Sequence, residues 1–177
     1  MKLTLIRHTS VDVPPATCYG QTDVPLKDTF PQEAAIVADK LKHQSFDRVY
    51  TSPLSRCVRL ADHCGYPDAT RDTRLLEMNF GDWEMRHYTE IKDTRLKEWF
   101  NDYMNVVPTG GESAMQQRNR FLEFIDTLRS ELPSTASVAL FTHGGILIHA
   151  LNAFAGKSYE ELFTTIPPYG SVIELTI

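Results

Sequence analysis

Short apolar runs alternate along this chain with longer stretches whose apolar residues recur at helical spacing, and that alternation limits the fold more than any other feature. Leu3 to Arg7, Arg48 to Thr51, Val138 to Thr142 and Val172 to Leu175 read as strands. Pro31 to Leu41, Leu54 to His63, Glu90 to Tyr103, Ser113 to Leu132 and Ile146 to Ala155 read as helices, the first with proline at its opening turn. Strand, turn and helix in repeated order predict an α/β fold with a mostly parallel central sheet between helical layers, a three-layer α/β/α sandwich. At 177 residues the chain is sized for one domain, residues 1–177, with a sizeable core. Glu90 to Tyr103 has no adjacent strand and mixes aromatic with charged residues, so it is expected to form a small helical cap.

The strands end in a particular way. Ile6 gives way to Arg7-His8, Tyr50 to Thr51-Ser52-Pro53-Leu54-Ser55-Arg56, and Phe141 to Thr142-His143-Gly144-Gly145. In an open parallel sheet the carboxyl ends of neighbouring strands converge on one crevice. Two arginines and two histidines from distant parts of the sequence are thereby expected around one small pocket that attracts a dianion.

Composition excludes several alternatives. The chain is 42% hydrophobic and 23% charged, has no repeat, and contains no apolar run near the roughly 20 residues of a membrane span. Leu3 to Ile6 is too short for a signal-peptide core. Cys18, Cys57 and Cys64 are odd in number and lack CxxC spacing, which points away from a disulfide framework or structural zinc and towards a reducing cytoplasm. A net charge of −5 gives no general attraction to nucleic acid or anionic membrane, so a bound anion requires a local cluster of cations. The expected partner is a small molecule, with neither nucleic acid nor membrane, and the sequence leaves the oligomeric state open.

Phosphoryl transfer matches this inventory. Charge on the equatorial oxygens needs fixed donors, and a guanidinium is a planar, permanently charged fork, a role that fits Arg7 and Arg56. A neutral imidazole can attack phosphorus and divide hydrolysis into two steps, a task open to His8 or His143. The leaving alkoxide needs a proton, and Glu77 lies among apolar neighbours in Leu75-Leu76-Glu77-Met78-Asn79-Phe80. A metal site from His8, His143 and Glu77 is the rival reading, but it lacks local ligand spacing and sets two arginines beside a cation.

These motifs together resemble the histidine phosphatase superfamily, also called phosphoglycerate mutase-like, over nearly the whole chain. Arg7-His8 resembles its signature pair after the first strand, and Ser52 to Arg56 resembles its second-arginine motif. Glu77 with Phe80-Gly81-Asp82-Trp83-Glu84 resembles its proton-donor segment. Gly111-Glu112-Ser113 and Thr142 to Gly145 complete the family order. The resemblance implies a phosphohistidine on His8, phosphate ligands in Arg7, Arg56 and His143, a general acid in Glu77, and no metal or other cofactor. The family usually continues after the histidine with glycine, an acid and threonine, whereas this chain reads Thr9, Ser10 and Val11. Val11 has no hydroxyl to offer, and Ser10, Thr142 or a backbone amide is left to replace it.

Cys18 to Leu26 resembles the same segment in the α-ribazole phosphatase branch, which acts on the 5′-phosphate of a cobalamin nucleotide-loop precursor. Glycolytic mutases are considerably longer, which favours hydrolysis here. A broad phosphatase of small-metabolite esters, a phosphoglycerate mutase, and a non-enzymatic phospho-ligand module are the alternatives; the last would be expected to lose the nucleophile or the acid. Tyr19, Gln21, Thr22 and Gly144 are the expected substrate contacts, along with Ser10 and Thr142. Trp99 and Tyr103 either join them from the cap or simply pack. His43, His63, His87 and His149 belong to no motif and read as surface or structural histidines, Arg59 as part of a solvated helix face, and Trp83 as core.

Overall fold

A computed structural model describes residues 1–177. The elements are β1 (Lys2–Arg7), α1 (Phe30–Leu41), β2 (Arg48–Thr51), α2 (Ser55–His63), β3 (Thr70–Arg71), α3 (Arg95–Asn101), α4 (Ala114–Glu131), β4 (Ser137–Thr142), α5 (Gly144–Ala155), α6 (Tyr159–Thr164) and β5 (Val172–Thr176). They build one five-stranded sheet in the order β3-β2-β4-β1-β5. β1 and β2 pair in parallel with β4, β3 pairs in parallel with β2, and β5 runs antiparallel along β1. The mostly parallel sandwich is therefore as expected.

Both faces of the central strands are buried, which explains their unbroken apolar runs. Leu3 and Leu5 of β1, with Val138 and Leu140 of β4, face a core closed by Phe121, Phe124, Ile125 and Leu128 of α4 and by Ile146, Leu147 and Ala150 of α5. Ile6, Ala139 and Phe141 face the opposite way, onto Ala34, Val37 and Leu41 of α1 and Cys57, Leu60 and Ala61 of α2. Burying one such large side chain contributes roughly 1.5–3 kcal/mol. Truncation to alanine of Phe124, whose ring meets Tyr50 edge-on at 5.2 Å, would cost about 3–5 kcal/mol.

Local chemistry sets the boundaries. Pro31 sits in the first turn of α1. Ser113 and Gln116 form a reciprocal capping box that starts α4: Ser113 Oγ accepts from the Gln116 amide at 3.2 Å, and Gln116 Oε1 accepts from the Ser113 amide at 2.8 Å. The expected helix over Glu90 to Tyr103 is shorter, a 3-10 helical turn at Tyr88–Glu90 followed by α3. Asp93 causes the break. Its carboxylate accepts from Trp83 Nε1 at 2.9 Å, from the Thr109 hydroxyl at 2.6 Å and from the Arg95 amide at 3.0 Å, which anchors the chain just before α3. The sequence reading omitted the two-residue β3 and also α6, although Ser158 and Glu161 carry the spacing of a helix start and Ser158 Oγ accepts from the Glu161 amide at 3.2 Å.

No helix is long and apolar enough to cross a membrane.

Candidate active site

The β1–β4 register sets Arg7 opposite Thr142, so the residues that follow, His8 and His143, leave the sheet side by side. The His8 amide donates to the Thr142 carbonyl at 3.1 Å, and the two imidazole centroids are 5.2 Å apart. His8 Nδ1 lies 2.8 Å from the Thr9 carbonyl. A carbonyl only accepts, so Nδ1 carries the proton and Nε2 keeps its lone pair. Burial, and then the nearby Arg56 charge, hold the His8 pKa well below the usual histidine value, against the opposing pull of the Thr9 carbonyl. His143 is also held low, first by burial and then by Arg56, and its Nε2 meets Ser52 Oγ at 2.8 Å.

Arg56 is fully buried on α2. Its Nη1 donates to the Thr22 carbonyl at 3.0 Å and its Nη2 to the Gly20 carbonyl at 2.6 Å, while Nε has no partner. Arg7 donates through Nη1 to the Pro167 carbonyl, and its Nε likewise has none. Neither arginine belongs to an ion pair. Arg56 is fully buried and Arg7 is half-buried with its Nε shielded from solvent, and guanidiniums so placed without an acidic partner are costly unless an anion joins them. No three His, Cys, Asp or Glu side chains converge as metal ligands.

Glu77 is held on several sides. Its Oε1 accepts from the Met78 amide and from Gln117 Nε2, each at 2.9 Å, and Oε2 accepts from the Gly145 amide at 3.2 Å. With two donors on Oε1 and one on Oε2, the lone pair left for a mobile proton is on Oε2. A Cβ on Gly145 would stand 2.3 Å from Glu77 Oε1, so only glycine lets α5 begin this close to the carboxyl. The backbone is fixed as well: the Glu77 carbonyl accepts from Arg120 Nη2 at 2.9 Å and from Gln21 Nε2 at 3.1 Å, and Arg120 pairs with Glu112 at 2.7 Å.

The structure thus gathers Arg7, His8, Arg56, Glu77 and His143, and it assigns different work to several other expected contacts. The Thr142 hydroxyl donates to the Leu75 carbonyl at 2.8 Å. The Thr22 hydroxyl bonds the Glu84 carboxylate, which also accepts the Gln21 and Thr22 amides at 2.9 and 2.6 Å. Burial alone would raise the Glu84 pKa, but these donors outweigh it and hold it below the usual carboxylate range. Gln21 and Thr22 therefore brace Arg56 and Glu77 from behind. Ser10 donates its amide to Glu33 at 2.8 Å. Gly144 stands against Arg7, where an added Cβ would be 3.2 Å from the guanidinium carbon. Val11 bridges to Leu26 and is buried, and the buried hydroxyl without a partner is that of Thr9. Trp83 is core, as expected.

Beside His8 and Glu77 opens a cavity of about 250 Å³. Tyr19, Phe80, Tyr88, Trp99, Tyr103 and Phe163 line it, so both cap aromatics reach it while also packing on each other. Sequence reasoning missed Tyr169, Gln117 and Arg120. Gln117 did leave a signal, since it interrupts the apolar stripe that continues through Phe121 and Phe124 and is buried like them.

Comparisons with known proteins agree with this geometry. Over 155 residues, 83% of this chain and 76% of the relative, the sequence is 31% identical to the adenosylcobalamin/alpha-ribazole phosphatase of Salmonella typhimurium. A crystal structure of a putative alpha-ribazole-5′-P phosphatase from Escherichia coli superposes with a TM-score of 0.83 at 26% identity, covering 98% of this chain and 89% of that one. A phosphoglycerate mutase from Thermus thermophilus gives a TM-score of 0.76 at 28% identity, covering 98% and 92%. The family model of the histidine phosphatase superfamily, branch 1, matches residues 3–177, and with the arginines and histidines converging at the ends of β1, β2 and β4, the chain belongs to that superfamily.

Proposed function

We propose that the protein is a phosphomonoesterase working through a phosphohistidine on His8, with α-ribazole 5′-phosphate as its substrate. The observation that carries the chemistry is the pair of guanidiniums without an acidic partner, the buried Arg56 and the half-buried Arg7, flanking an imidazole held neutral with its Nε2 lone pair free. His8 Nε2 forms a bond to phosphorus as the bond from phosphorus to the ester oxygen breaks, and the proton on Glu77 Oε2 passes to the leaving alkoxide. The positive charge that develops on the ring is stabilised by the Nδ1–H bond to the Thr9 carbonyl. Water then attacks the phosphohistidine, Glu77 takes its proton, and phosphate departs from a neutral His8.

The substrate reading rests on the aromatic lining of the cavity and on the likeness to alpha-ribazole phosphatases. Stacking a flat base-like group on such rings contributes about 1–3 kcal/mol, by analogy with base stacking in single-strand binders. A phosphoglycerate would bring a carboxylate in addition to its phosphate into a cavity whose lining offers Arg7 as its single cation.

Rapid quench with labelled substrate should trap an acid-labile, base-tolerant label that His8→Ala abolishes. Retention of the label in that variant moves the nucleophile elsewhere. The substrate is tested by kcat/KM for α-ribazole 5′-phosphate, 3-phosphoglycerate and simple sugar phosphates under one condition. Equal hydrolysis of 3-phosphoglycerate, or its conversion to 2-phosphoglycerate, overturns the substrate reading and leaves the phosphohistidine intact.

A further inference from the structure

His149 occupies the middle of α5 among Ile146, Leu147, Ile148 and Ala150, and it is as buried as they are. Sequence alone classed it as structural, but both of its nitrogens have partners. Nε2 lies 3.2 Å from Gln117 Oε1, and Nδ1 lies 3.0 Å from the Tyr159 hydroxyl. Gln117 Nε2 in turn donates to Glu77 Oε1 at 2.9 Å and faces the Leu76 carbonyl at 3.4 Å. We propose that His149 is a positioning residue for the Glu77 carboxyl, acting through Gln117 by locking the orientation of its amide. This rests on the reading of Glu77 as the proton donor to the leaving group.

The direction of every bond in the chain follows from its chemistry. Gln117 Oε1 only accepts, so His149 Nε2 carries the proton and Nδ1 receives the Tyr159 hydroxyl. The Gln117 amide nitrogen then faces two acceptors, Glu77 Oε1 and the Leu76 carbonyl. Turning the amide over would set Oε1 against the Glu77 carboxyl and the NH₂ group against an N–H of His149. Burial first, then the charges of Arg118 and Arg120, lower the His149 pKa to about 3, so its single N–H donor persists through the working pH range.

This matters for proton transfer. While Gln117 donates to Glu77 Oε1, the acidic proton is directed to Oε2. An overturned amide would accept that proton at Oε1 and keep it from the substrate. A leucine or methionine in place of His149 would satisfy the packing of α5 and would leave the Gln117 amide free to turn.

The test uses the full chain with His149→Met, which lacks a donor, and His149→Gln, which offers an N–H near the position of the imidazole Nε2–H. For an alkyl phosphate, kcat/KM should fall about tenfold in His149→Met, a fraction of what a general acid supplies, while p-nitrophenyl phosphate, whose phenolate needs little protonation, should change less than about twofold. His149→Gln should recover most of the alkyl activity. Equal losses on both esters, no loss in a folded His149→Met, or identical behaviour of the two variants overturns the inference. Should His149→Met fail to fold, Tyr159→Phe frees the imidazole to take its other tautomer and carries the same test, with an alkyl-selective loss of about threefold expected and an equal loss on both esters overturning it. Glu77→Gln measured beside them separates the two readings: if it slows both esters equally, the underlying reading of Glu77 as proton donor falls, whereas an alkyl-selective loss in Glu77→Gln that His149→Met does not share overturns the inference alone.

Discussion

The hydroxyls of Tyr19 and Tyr169, 150 residues apart in sequence, meet at 2.6 Å. The Tyr169 ring lies 4.2 Å from the Arg7 guanidinium carbon and 5.4 Å from the His8 ring, and the Tyr19 ring lies 5.7 Å from that of Arg56. The pair ties the loop after β1 to the loop before β5 across the cationic cluster, and burial together with the Tyr169 hydroxyl keeps the Tyr19 phenol protonated well above its ordinary range. Tyr169→Phe should keep the ring over Arg7 and lose at most about fivefold in kcat/KM, the equivalent of one net hydrogen bond. Tyr169→Ala removes both contacts and should lose more than about tenfold. Equal losses in the two variants would show that the ring itself contributes nothing.

The three buried histidines His8, His143 and His149 all have pKa values lowered from the model-peptide value of 6.5. Unfolded, each binds a proton as pH falls through 6.5, while the folded protein does not. Their contribution to stability is therefore complete above that pH and declines below it, by up to about 1.4 kcal/mol per pH unit for each histidine. Tm should be level from pH 8 to about 7 and drop steeply between about 6 and 5, and a Tm that holds or rises over that acid interval contradicts the burial of neutral imidazoles. Activity limited by the His8 lone pair should likewise pass through 6.5 without an acid limb in kcat/KM.

Glu77→Gln keeps the shape of the side chain and removes its proton-transfer capacity. Alkyl esters should slow by about 10²-fold or more in kcat/KM and p-nitrophenyl phosphate far less. Gly145→Ala should show the same selectivity in weaker form, because its methyl group would press on Glu77 Oε1 from 2.3 Å. Identical slowing of both ester classes would make Glu77 an orienting group and not a proton donor.

Charge neutralisation by Arg7 and Arg56 predicts that hydrolysis persists after prolonged treatment with a strong chelator. Loss of activity restored by a divalent ion would replace the site description. Arg56→Lys should be impaired by about 10²-fold, since an ammonium cannot reach the Thr22 and Gly20 carbonyls and still present a third donor to phosphate.

Four of the five strands and the meeting of Arg7, His8, Arg56, Glu77 and His143 at the strand ends were legible because each depends on local pattern: an apolar run, an abrupt polar exit, a family-ordered motif. What stayed hidden depends on contacts between distant segments. Thr142 reads as a ligand from its place beside His143, yet alternation along β4 turns its side chain to the Leu75 carbonyl. Gln21 and Thr22 lie in a segment suited to substrate, and only the fold shows them behind Glu77 and Arg56. Tyr169 follows no motif, and its importance arises from β5 lying against β1. His149 is the instructive case, since an isolated histidine on an apolar helix is ordinary until its two partners are known.

His8 follows β1, and β1 pairs in parallel with β4, which is made more than 120 residues later. Until then the Leu3 to Ile6 edge has neither sheet neighbour, and Arg7 and His8 lack the Thr142 and His143 that complete their surroundings. Pairing across so long a loop makes for slow closure and a period of exposed apolar edge, during which a nascent chain depends on chaperones or on speed to avoid association. The oldest residues of the site in the order of synthesis are thus among the last to find their neighbours, and a ribosome-bound chain arrested ahead of β4 holds His8 without the Thr142 carbonyl and the His143 ring beside it.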